Sequence, residues 1–216
     1  MCKMAACAVL VLPALALPAC GSDRAGNQCR NTADQGAAGD AMSHDMGPYF
    51  HAEMEMKERL LGAVGTDAGD NWVRKMIEHQ RGGVELSKII LRLNPSGRFA
   101  TMAQRSIDIQ AREIADLQQL VANGKPDEQG AFRYQLSVAK MHDAMMAIEC
   151  ADLSETWMRK MVEHHRGAVA MSDVLLHGQD SSAVIRRKAE GMKRDQQKEV
   201  RMLERILRGG PMEMPQ

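Results

Sequence analysis

The sequence predicts an all-α protein, a bundle of about six helices built from a duplicated helical unit. Apolar residues recur with the helical period from Pro48 onward, no β-branched run alternates strictly, and one thirteen-residue phrase occurs twice. With 44% hydrophobic and 26% charged residues, the 216-residue chain can bury a core. A net charge of +0 and 3% aromatic residues argue against a nucleic-acid binder, which needs a basic surface and stacking rings. The 18 methionines are an unusual excess.

Residues 1–19 are typical of a signal peptide. One lysine is followed by an apolar run of about 15 residues, too short to span a bilayer comfortably. The run ends in Leu17-Pro18-Ala19-Cys20-Gly21, which resembles a bacterial lipoprotein box with Cys20 as the lipidated first residue of the mature chain. Cleavage by ordinary signal peptidase is the alternative, because proline is not the commonest choice before the final alanine. We therefore expect export to the periplasm or cell envelope, with a membrane anchor at Cys20.

Residues 20–47 are rich in Gly, Ala, Ser, Asn and Asp, which predicts a flexible linker between the anchor and a folded body. Beyond the signal peptide and Cys20, only Cys29 and Cys150 remain. In an oxidising compartment these two could form a disulfide, but nothing in the sequence positions one against the other. The chain has no CxxC or CxxCH motif, so thioredoxin-like redox chemistry and c-type haem attachment have no support.

Residues that cap and residues that stop helices set the expected helix bounds. Asn-Pro, Asn-Gly and Gly-Gly-Pro stretches follow three of the helical patterns. The expected N-caps are Asp70, Ser96, Asp127, Ser154 and either Ser181 or Ser182. The predicted helices span about 49–64, 71–93, 97–122, 129–150, 155–177 and 183–208.

The helices repeat. The phrase at Trp72–Val84 returns at Trp157–Val169, 85 residues later, with nine identical positions. A Gln-x-x-Glu pair farther on also recurs, at an offset of 86. The repeat predicts a first helical unit over 48–124, a second over 125–210 and a short tail over 211–216. Duplicated helical hairpins stack antiparallel, which predicts a four-helix core.

The helix over 155–177 carries the main candidate metal ligands. Met161, His164, His165 and Met171 fall within an arc of about 120° on one helix face. Thioether sulfur and imidazole nitrogen form a soft-to-borderline ligand set that favours Cu(I), with Cu(II) or zinc as alternatives at histidine. Methionines at this spacing are also common core residues. Two adjacent histidines on the same stripe favour the metal interpretation.

Further candidates lie outside this helix. The first repeat keeps Met76 and His79, but Gln80 and Leu86 replace the second histidine and the last methionine, so we expect a weaker site there. Additional Met and His candidates are His142, Met145 and Met146 on the fourth helix, Met42, His44 and Met46 in the linker, and His51 and Met54 on the first helix. The repeated Gln and Glu side chains could hold the histidine rings by hydrogen bonds, or equally belong to the solvated surface. These residues are Gln110, Glu113, Gln196 and Glu199.

The phrase M-V-E-H-H-R-G-A-V-A-M over residues 161–171, followed by Gln196-x-x-Glu199, resembles the family catalogued as domain of unknown function 305. The resemblance covers about 49–208 and implies a ferritin-like helical fold, here with an internal duplication. Some members of that family are exported copper-binding proteins linked to copper tolerance. The resemblance therefore implies copper binding by the Met and His residues of the phrase, and in the first copy by Met76 and His79 alone.

Two other classes of function stay open. A ferritin-like redox enzyme would use Glu-x-x-His pairs, and no histidine of the chain has a glutamate three residues before it. The second alternative is a structural or partner-binding envelope lipoprotein without metal, whose methionines form an adaptable apolar surface. We expect a non-enzymatic protein that binds copper ions, associates with the membrane and hands copper to, or receives it from, a copper-handling protein.

Overall fold

A computed structural model of the protein describes residues 29–31, 47–93, 95–178 and 181–211. Within these ranges six long helices form the all-α bundle that the sequence predicts, together with one single-turn helix and one pair of two-residue strands. None of the described helices is long and apolar enough to cross a lipid bilayer. The helices are α1 (Phe50–Gly62), α2 (Ala68–Arg92), α3 (Gly97–Gln118), α4 (Glu128–Phe132), α5 (Gln135–Met146), α6 (Leu153–His177) and α7 (Ala183–Leu207). The strands are β1 (Arg30–Asn31) and β2 (Ile148–Glu149).

Two helical hairpins, α2–α3 and α6–α7, meet along α2 and α6. α1 packs on α2 and α5 on α6, so each hairpin has its own leading helix, and the two leading helices also contact each other. Apolar side chains at helical spacing fill the centre, among them Trp72, Met76 and Leu86 on α2 and Trp157 and Met161 on α6, all almost inaccessible to solvent. The long central helices α2 and α6 therefore carry the repeated phrase into the core.

The two halves exchange equivalent contacts. The Tyr134 hydroxyl of the second half donates to the carbonyl oxygen of Ala68 at the start of α2 (3.4 Å). The Tyr49 hydroxyl of the first half donates to the carbonyl oxygen of Leu153 at the start of α6 (3.5 Å). Donors and acceptors of these two bonds correspond at the same offset of 85 residues as the repeated phrase. Each half thus fixes the start of the other half's central helix.

The prediction of a single helix over 129–150 is wrong, because this stretch forms two helices, α4 and α5. The break lies at Arg133 and Tyr134, whose N–H groups donate to carbonyl oxygens only three residues back. It places the Tyr134 ring in the core, where 2% of the residue is exposed. α5 ends at Met146 because Ile148 and Glu149 leave the helix to pair with β1.

Asp67, and not the predicted Asp70, caps α2, since its carboxylate accepts the backbone N–H of Asp70 at 2.8 Å. The Asp70 carboxylate instead accepts the N–H of Ala122 at 3.0 Å. Arg74 donates to the carbonyl oxygen of Ala122 at 2.6 Å. These side chains of α2 hold the backbone of Ala122 outside the helix, so α3 ends at Gln118 rather than at the predicted residue 122.

The remaining N-caps agree with the prediction in two cases. Asp127 caps α4 and Ser182 caps α7, each accepting a backbone N–H three residues ahead. Asp152 caps α6 in place of the predicted Ser154, and its carboxylate accepts the N–H groups of Ser154 and Glu155. Ser96 precedes α3 as predicted, but its side chain makes no capping hydrogen bond.

A disulfide joins Cys29 to Cys150, whose Cα atoms are 4.1 Å apart. The two strands continue from it in antiparallel register, Arg30 opposite Glu149 and Asn31 opposite Ile148. This pairing is the one the sequence leaves open. The bond joins residues 121 apart in sequence and ties Cys29 to the chain before α6.

Candidate metal centre

The metal-ligand stripe of α6 is buried, but its two histidines face different neighbours. Met161, His164, His165 and Met171 are each at most 4% exposed. His165 borders a cavity between α3, α6 and α7. His164 instead stacks on His79 of α2, and the centroids of the two adjacent rings of α6 are 5.6 Å apart. The predicted ligands therefore occupy two neighbouring positions in the core.

The His165 ring is held by two side chains of α7. Its Nδ1 contacts Gln196 Oε1, and its Nε2 lies 3.3 Å from Glu199 Oε2. Because an amide oxygen can only accept, Nδ1 carries the proton of this hydrogen bond. In the neutral ring, Nε2 is then a bare nitrogen that faces a carboxyl group. A proton or a metal cation between these two atoms removes the repulsion of their lone pairs.

Burial sets the protonation states at this position. Desolvation lowers the pKa of His165 to about 4, and the hydrogen bond with Gln196 offsets only part of that effect. Desolvation raises the pKa of Glu199 to about 7, and the charge of Asp195 adds to the rise. Glu113 also has its pKa raised to about 7, by desolvation and then by the charge of Glu199. At neutral pH the His165 ring is therefore neutral, which is the form that binds metals.

Three methionines from three helices border the cavity beside His165. Met102 comes from α3, Met161 from α6 and Met202 from α7, and Trp157 closes one side. The cavity volume of about 60 Å³ is enough for an ion or a few water molecules and too small for an organic cofactor. Three methionines, one histidine and one glutamate thus line the same small cavity. Such a donor set suits a soft cation.

His164 is fully buried, yet neither of its ring nitrogens has a hydrogen-bond partner among the described residues. The Oε1 atom of Gln110 is also buried and equally unpaired within the described chain, while its Nε2 donates to Ser106 Oγ at 2.7 Å. Both groups approach Gly83, where an added Cβ would clash with Gln110 Oε1 and lie 2.6 Å from His164 Nε2. Unpaired buried polar atoms are costly, so this position is suited to a cation or a water molecule.

The first repeat uses its histidine internally. His79 Nε2 lies 2.8 Å from the carbonyl oxygen of His164 and must donate to it. Desolvation lowers the pKa of His79 to about 4, so the ring is neutral and Nδ1 can only accept. Gln80 Oε1 lies 3.1 Å from Nδ1, and Gln80 Nε2 contacts Glu113 Oε2. Exchanging the two ends of the amide would present its NH₂ group to Nδ1 and its oxygen to the Glu113 carboxyl group, which must then carry a proton. Both His79 nitrogens are engaged, and Met76 is a fully buried core residue.

The remaining predicted ligands do not border this cavity. His142 lies between the leading helices, with Nδ1 at 3.4 Å from Lys57 Nζ, and its buried Nε2 has no partner in the described part of the chain. Met145 is buried on the same helix, Met54 and Met146 are half-buried, and His51 is exposed. The predicted residues outside the described ranges are Cys20, Met42, His44 and Met46.

Sequence reasoning missed Met102 and Met202, because neither lies near a histidine in the chain. A helical-face signal was present. Met202 follows Glu199 by three residues and Met102 precedes Gln110 by eight, so each shares a helix face with a residue of the repeated Gln-x-x-Glu pairs. Met102 is 2% exposed. Only the packing of α3 and α7 against α6 places both methionines on the cavity that His165 lines.

Comparison with known proteins identifies one family. The family described as "Domain of unknown function (DUF305)" matches residues 19–121 and again residues 123–207. No curated protein and no solved structure matches the chain. The two matched segments meet near the boundary between the repeated helical units and together cover most of the sequence. The chain therefore belongs to the DUF305 family and carries an internal duplication.

Proposed function

We propose that this protein is exported and sequesters or buffers copper, which it binds as Cu(I) in the cavity between α3, α6 and α7. The ligands are the sulfur atoms of Met102, Met161 and Met202 and the Nε2 nitrogen of His165. The observation that carries this proposal is the cavity itself, where thioethers from three helices surround a small space next to a neutral imidazole. This soft-to-borderline donor set favours Cu(I) over hard divalent cations.

Two residues of α7 prepare His165 for this role. Gln196 accepts from Nδ1, which fixes the ring orientation and leaves Nε2 as the ligand atom. Glu199 lies 3.3 Å from Nε2, so a cation bound there would be partly neutralised by its carboxylate in a low-dielectric setting. When Glu199 is ionised, its carboxylate faces the lone pair of His165 Nε2, which is unfavourable. A bound cation would remove this repulsion.

A second, weaker copper position lies at His164 and Gln110. His164 Nε2 and Gln110 Oε1 approach the same glycine, Gly83, and both are buried atoms without a hydrogen-bond partner among the described residues. Two donors bind less tightly than four, so the cavity at His165 is the tighter position. Met171 and the candidates on α1 and α5 are outside the proposed ligand set.

The proposal includes the cell envelope as the site of action, with the chain anchored through a lipid on Cys20. The signal-peptide pattern of residues 1–19 supports it. The disulfide between Cys29 and Cys150 supports it too, since such bonds persist mainly in oxidising compartments. An anchored copper protein would hold the ion at the membrane surface and exchange it with a copper-handling partner.

The experiment is an anaerobic Cu(I) titration of the mature protein against a competing chelator, with X-ray absorption to identify the ligand atoms. We expect a first equivalent with both sulfur and nitrogen ligands. Met161→Leu removes one cavity thioether at nearly constant volume and should weaken Cu(I) binding roughly 10–100-fold. Met56→Leu is the matched control, because Met56 is a fully buried methionine that packs on Gly82 instead of bordering the cavity.

The alternative, a structural envelope protein without metal, predicts that the mature protein binds no copper. A mature protein that does not retain Cu(I) against a mild chelator would support that alternative. Equal Cu(I) affinity in the two leucine variants would contradict the cavity as the binding site. Nitrogen and oxygen ligands without sulfur would also contradict the cavity site.

A further inference from the structure

Two cysteine sulfurs and one carboxylate oxygen lie close together near the start of α6. The sulfur atoms of Cys29 and Cys150 and a carboxylate oxygen of Glu155 all lie within 4.8 Å of one another. Cys29 Sγ is 3.3 Å from Glu155 Oε1. Once the sulfurs are separated, two thiolates and one carboxylate are three of the four ligands that a borderline divalent cation such as zinc takes. The bond between the two sulfurs occupies these positions in the oxidised protein.

The backbone holds each of the three residues independently of the disulfide. β1 and β2 pair in a register that sets Arg30 opposite Glu149, and the next pair in that register is Cys29 with Cys150. The Thr156 hydroxyl donates to the carbonyl oxygen of Cys150 and accepts its N–H, both at 3.2 Å. This clasp closes the turn that carries Glu155. Cys150 and Glu155 therefore keep their relative positions when the disulfide opens.

The disulfide is accessible from two sides. Cys29 borders a cleft that includes Arg159 and Glu163 of α6, and Cys150 borders a separate cleft near Met146. Cys29 is half-buried and Cys150 is buried, at 7% exposure. Because one sulfur faces a surface cleft, a small dithiol reductant can reach it.

We propose that reduction of this disulfide creates a zinc-type metal site formed by Cys29, Cys150 and Glu155. In the first step, a dithiol breaks the S–S bond, supplies two electrons and two protons, and becomes a disulfide itself, which leaves two protein thiols. In the second step, a divalent cation binds both sulfurs as thiolates and displaces the two thiol protons into solvent. Glu155 is the third ligand and a water molecule completes the tetrahedron.

A cation at this site would compete with Arg159 for the Glu155 carboxylate. Arg159 Nη2 lies 2.7 Å from Glu155 Oε1 in an i,i+4 pair, and 41% of the Arg159 side chain is exposed. The Glu155 side chain is only 17% exposed, but the arginine lies on the solvent side of the pair and can turn towards water to release the carboxylate. The site is independent of the copper cavity, because it shares no residue with it and requires the reduced protein, whereas thioether ligands require no reduction.

The test uses Co²⁺ as a spectroscopic stand-in for zinc, on the full mature chain. The protein is reduced with a phosphine, freed of reductant under anaerobic conditions, and titrated while the sulfur-to-cobalt charge-transfer absorption is recorded. We expect one equivalent of tetrahedral, thiolate-bound Co²⁺ in the reduced protein, displaced by Zn²⁺, and none in the oxidised protein. Circular dichroism checks that the helices persist after reduction.

Variants separate this site from the copper cavity. Cys150→Ser should abolish the charge-transfer band, and Glu155→Gln should weaken Co²⁺ binding at least about tenfold, as loss of a metal ligand does. Glu163→Gln on the same helix is the matched control, because Glu163 is also paired with an arginine but lies outside the three-ligand cluster. Met161→Leu should leave the band unchanged. A reduced, folded protein without the band, or a band that survives in Cys150→Ser, overturns the proposal and leaves the copper proposal unaffected.

Discussion

The imidazole rings of His79 and His164 stack face to face, with centroids 3.7 Å apart and 17° between the ring planes. The two residues occupy the same position of the repeated phrase, 85 residues apart. His79 Nε2 donates to the carbonyl oxygen of His164, but the reciprocal bond is absent between these two described residues, and both His164 nitrogens are unpaired. A duplicated sequence thus produces an asymmetric pair where its two halves meet.

The asymmetry has a local cause in the next residue of each copy. Gln80 follows His79 and offers its amide to that ring. His165 follows His164 and turns away to Gln196 and Glu199, so it offers nothing to its neighbour. The difference between Gln80 and His165 therefore places His79 in contacts within the protein. It leaves His164 with ring nitrogens that could bind a ligand.

Copper affinity should follow this asymmetry. We expect His165→Ala to weaken Cu(I) binding at least roughly 10–100-fold, because it removes a direct ligand. His164→Ala should weaken the second copper equivalent, and His79→Ala should have the smallest effect, since both of its nitrogens are engaged within the protein. Competition titrations of the three variants check the order, with thermal unfolding as the folding control. Equal losses in His79→Ala and His165→Ala would contradict the assignment of the site to the second repeat.

Membrane attachment should depend on one cysteine. We expect the mature protein to fractionate with membranes and Cys20→Ser to release it, because the lipid would be attached to this thiol. Fractionation of both proteins in the producing cell, followed by detergent extraction, checks the prediction. Cys29→Ser serves as the control, since Cys29 is engaged with Cys150 and should not affect partitioning. Soluble behaviour of the unmutated protein would contradict the anchor.

Glu113 should make the metal-free protein less stable as pH rises. Its pKa is raised from 4.5 to about 7, first by desolvation and then by Glu199, so the folded state retains a proton that the unfolded chain has lost. Its stabilising contribution is therefore complete below about pH 4.5 and disappears as pH rises to about 7. When the pH is raised from 5 to 8, the free energy of unfolding should fall in both proteins. The fall should be about 1–3 kcal/mol smaller in Glu113→Gln, because glutamine does not titrate.

Urea denaturation at the two pH values measures this difference, and the effect of the buried histidines cancels between the two proteins. The exposed Glu58→Gln is the control and should follow the unmutated protein. An identical pH dependence in Glu113→Gln would mean that this carboxyl group is ionised in the folded state at pH 5.

The two buried lysines of the repeat should respond differently to the same substitution. Lys160 pairs with the buried Glu53 at 2.7 Å, whereas Val138 stands where a corresponding acid would face Lys75. Lys160→Met leaves the Glu53 carboxylate buried without its cation and should cost about 3–5 kcal/mol. Lys75→Met leaves no buried carboxylate behind. It removes hydrogen bonds to carbonyl oxygens, including that of Leu60, and the contact with the Tyr134 ring, and should cost about 1–2 kcal/mol.

Chemical denaturation at neutral pH gives both values. Adding Glu53→Gln to Lys160→Met should recover part of the loss, since the unpaired charge is then gone. Equal costs for the two lysines, or no recovery in the double variant, would show that the ion pair is not the source of the difference.

The sequence by itself determined the features that depend on residues close together in the chain. The helical period predicted the all-α bundle, and the phrase shared by α2 and α6 predicted the duplication, because both patterns are local. The replacement of a histidine by Gln80 predicts a weaker metal site in the first copy, which the histidine variants test. The N-caps were harder to predict. Asp67 caps α2 in place of the predicted Asp70, because several acceptors near one helix start compete for the same N–H groups.

Tertiary structure alone decided which distant side chains meet. Met102 and Met202 reach His165 only through the rotation of three helices about their axes, and no sequence spacing expresses that rotation. The separation of His164 from His165 depends on which neighbouring helix faces each ring. The bond between Cys29 and Cys150 likewise requires the chain before α1 to return to the start of α6. The types of candidate ligand are therefore a property of the sequence, whereas their arrangement in space comes from helix packing, because packing fixes distances between residues that are far apart in the chain.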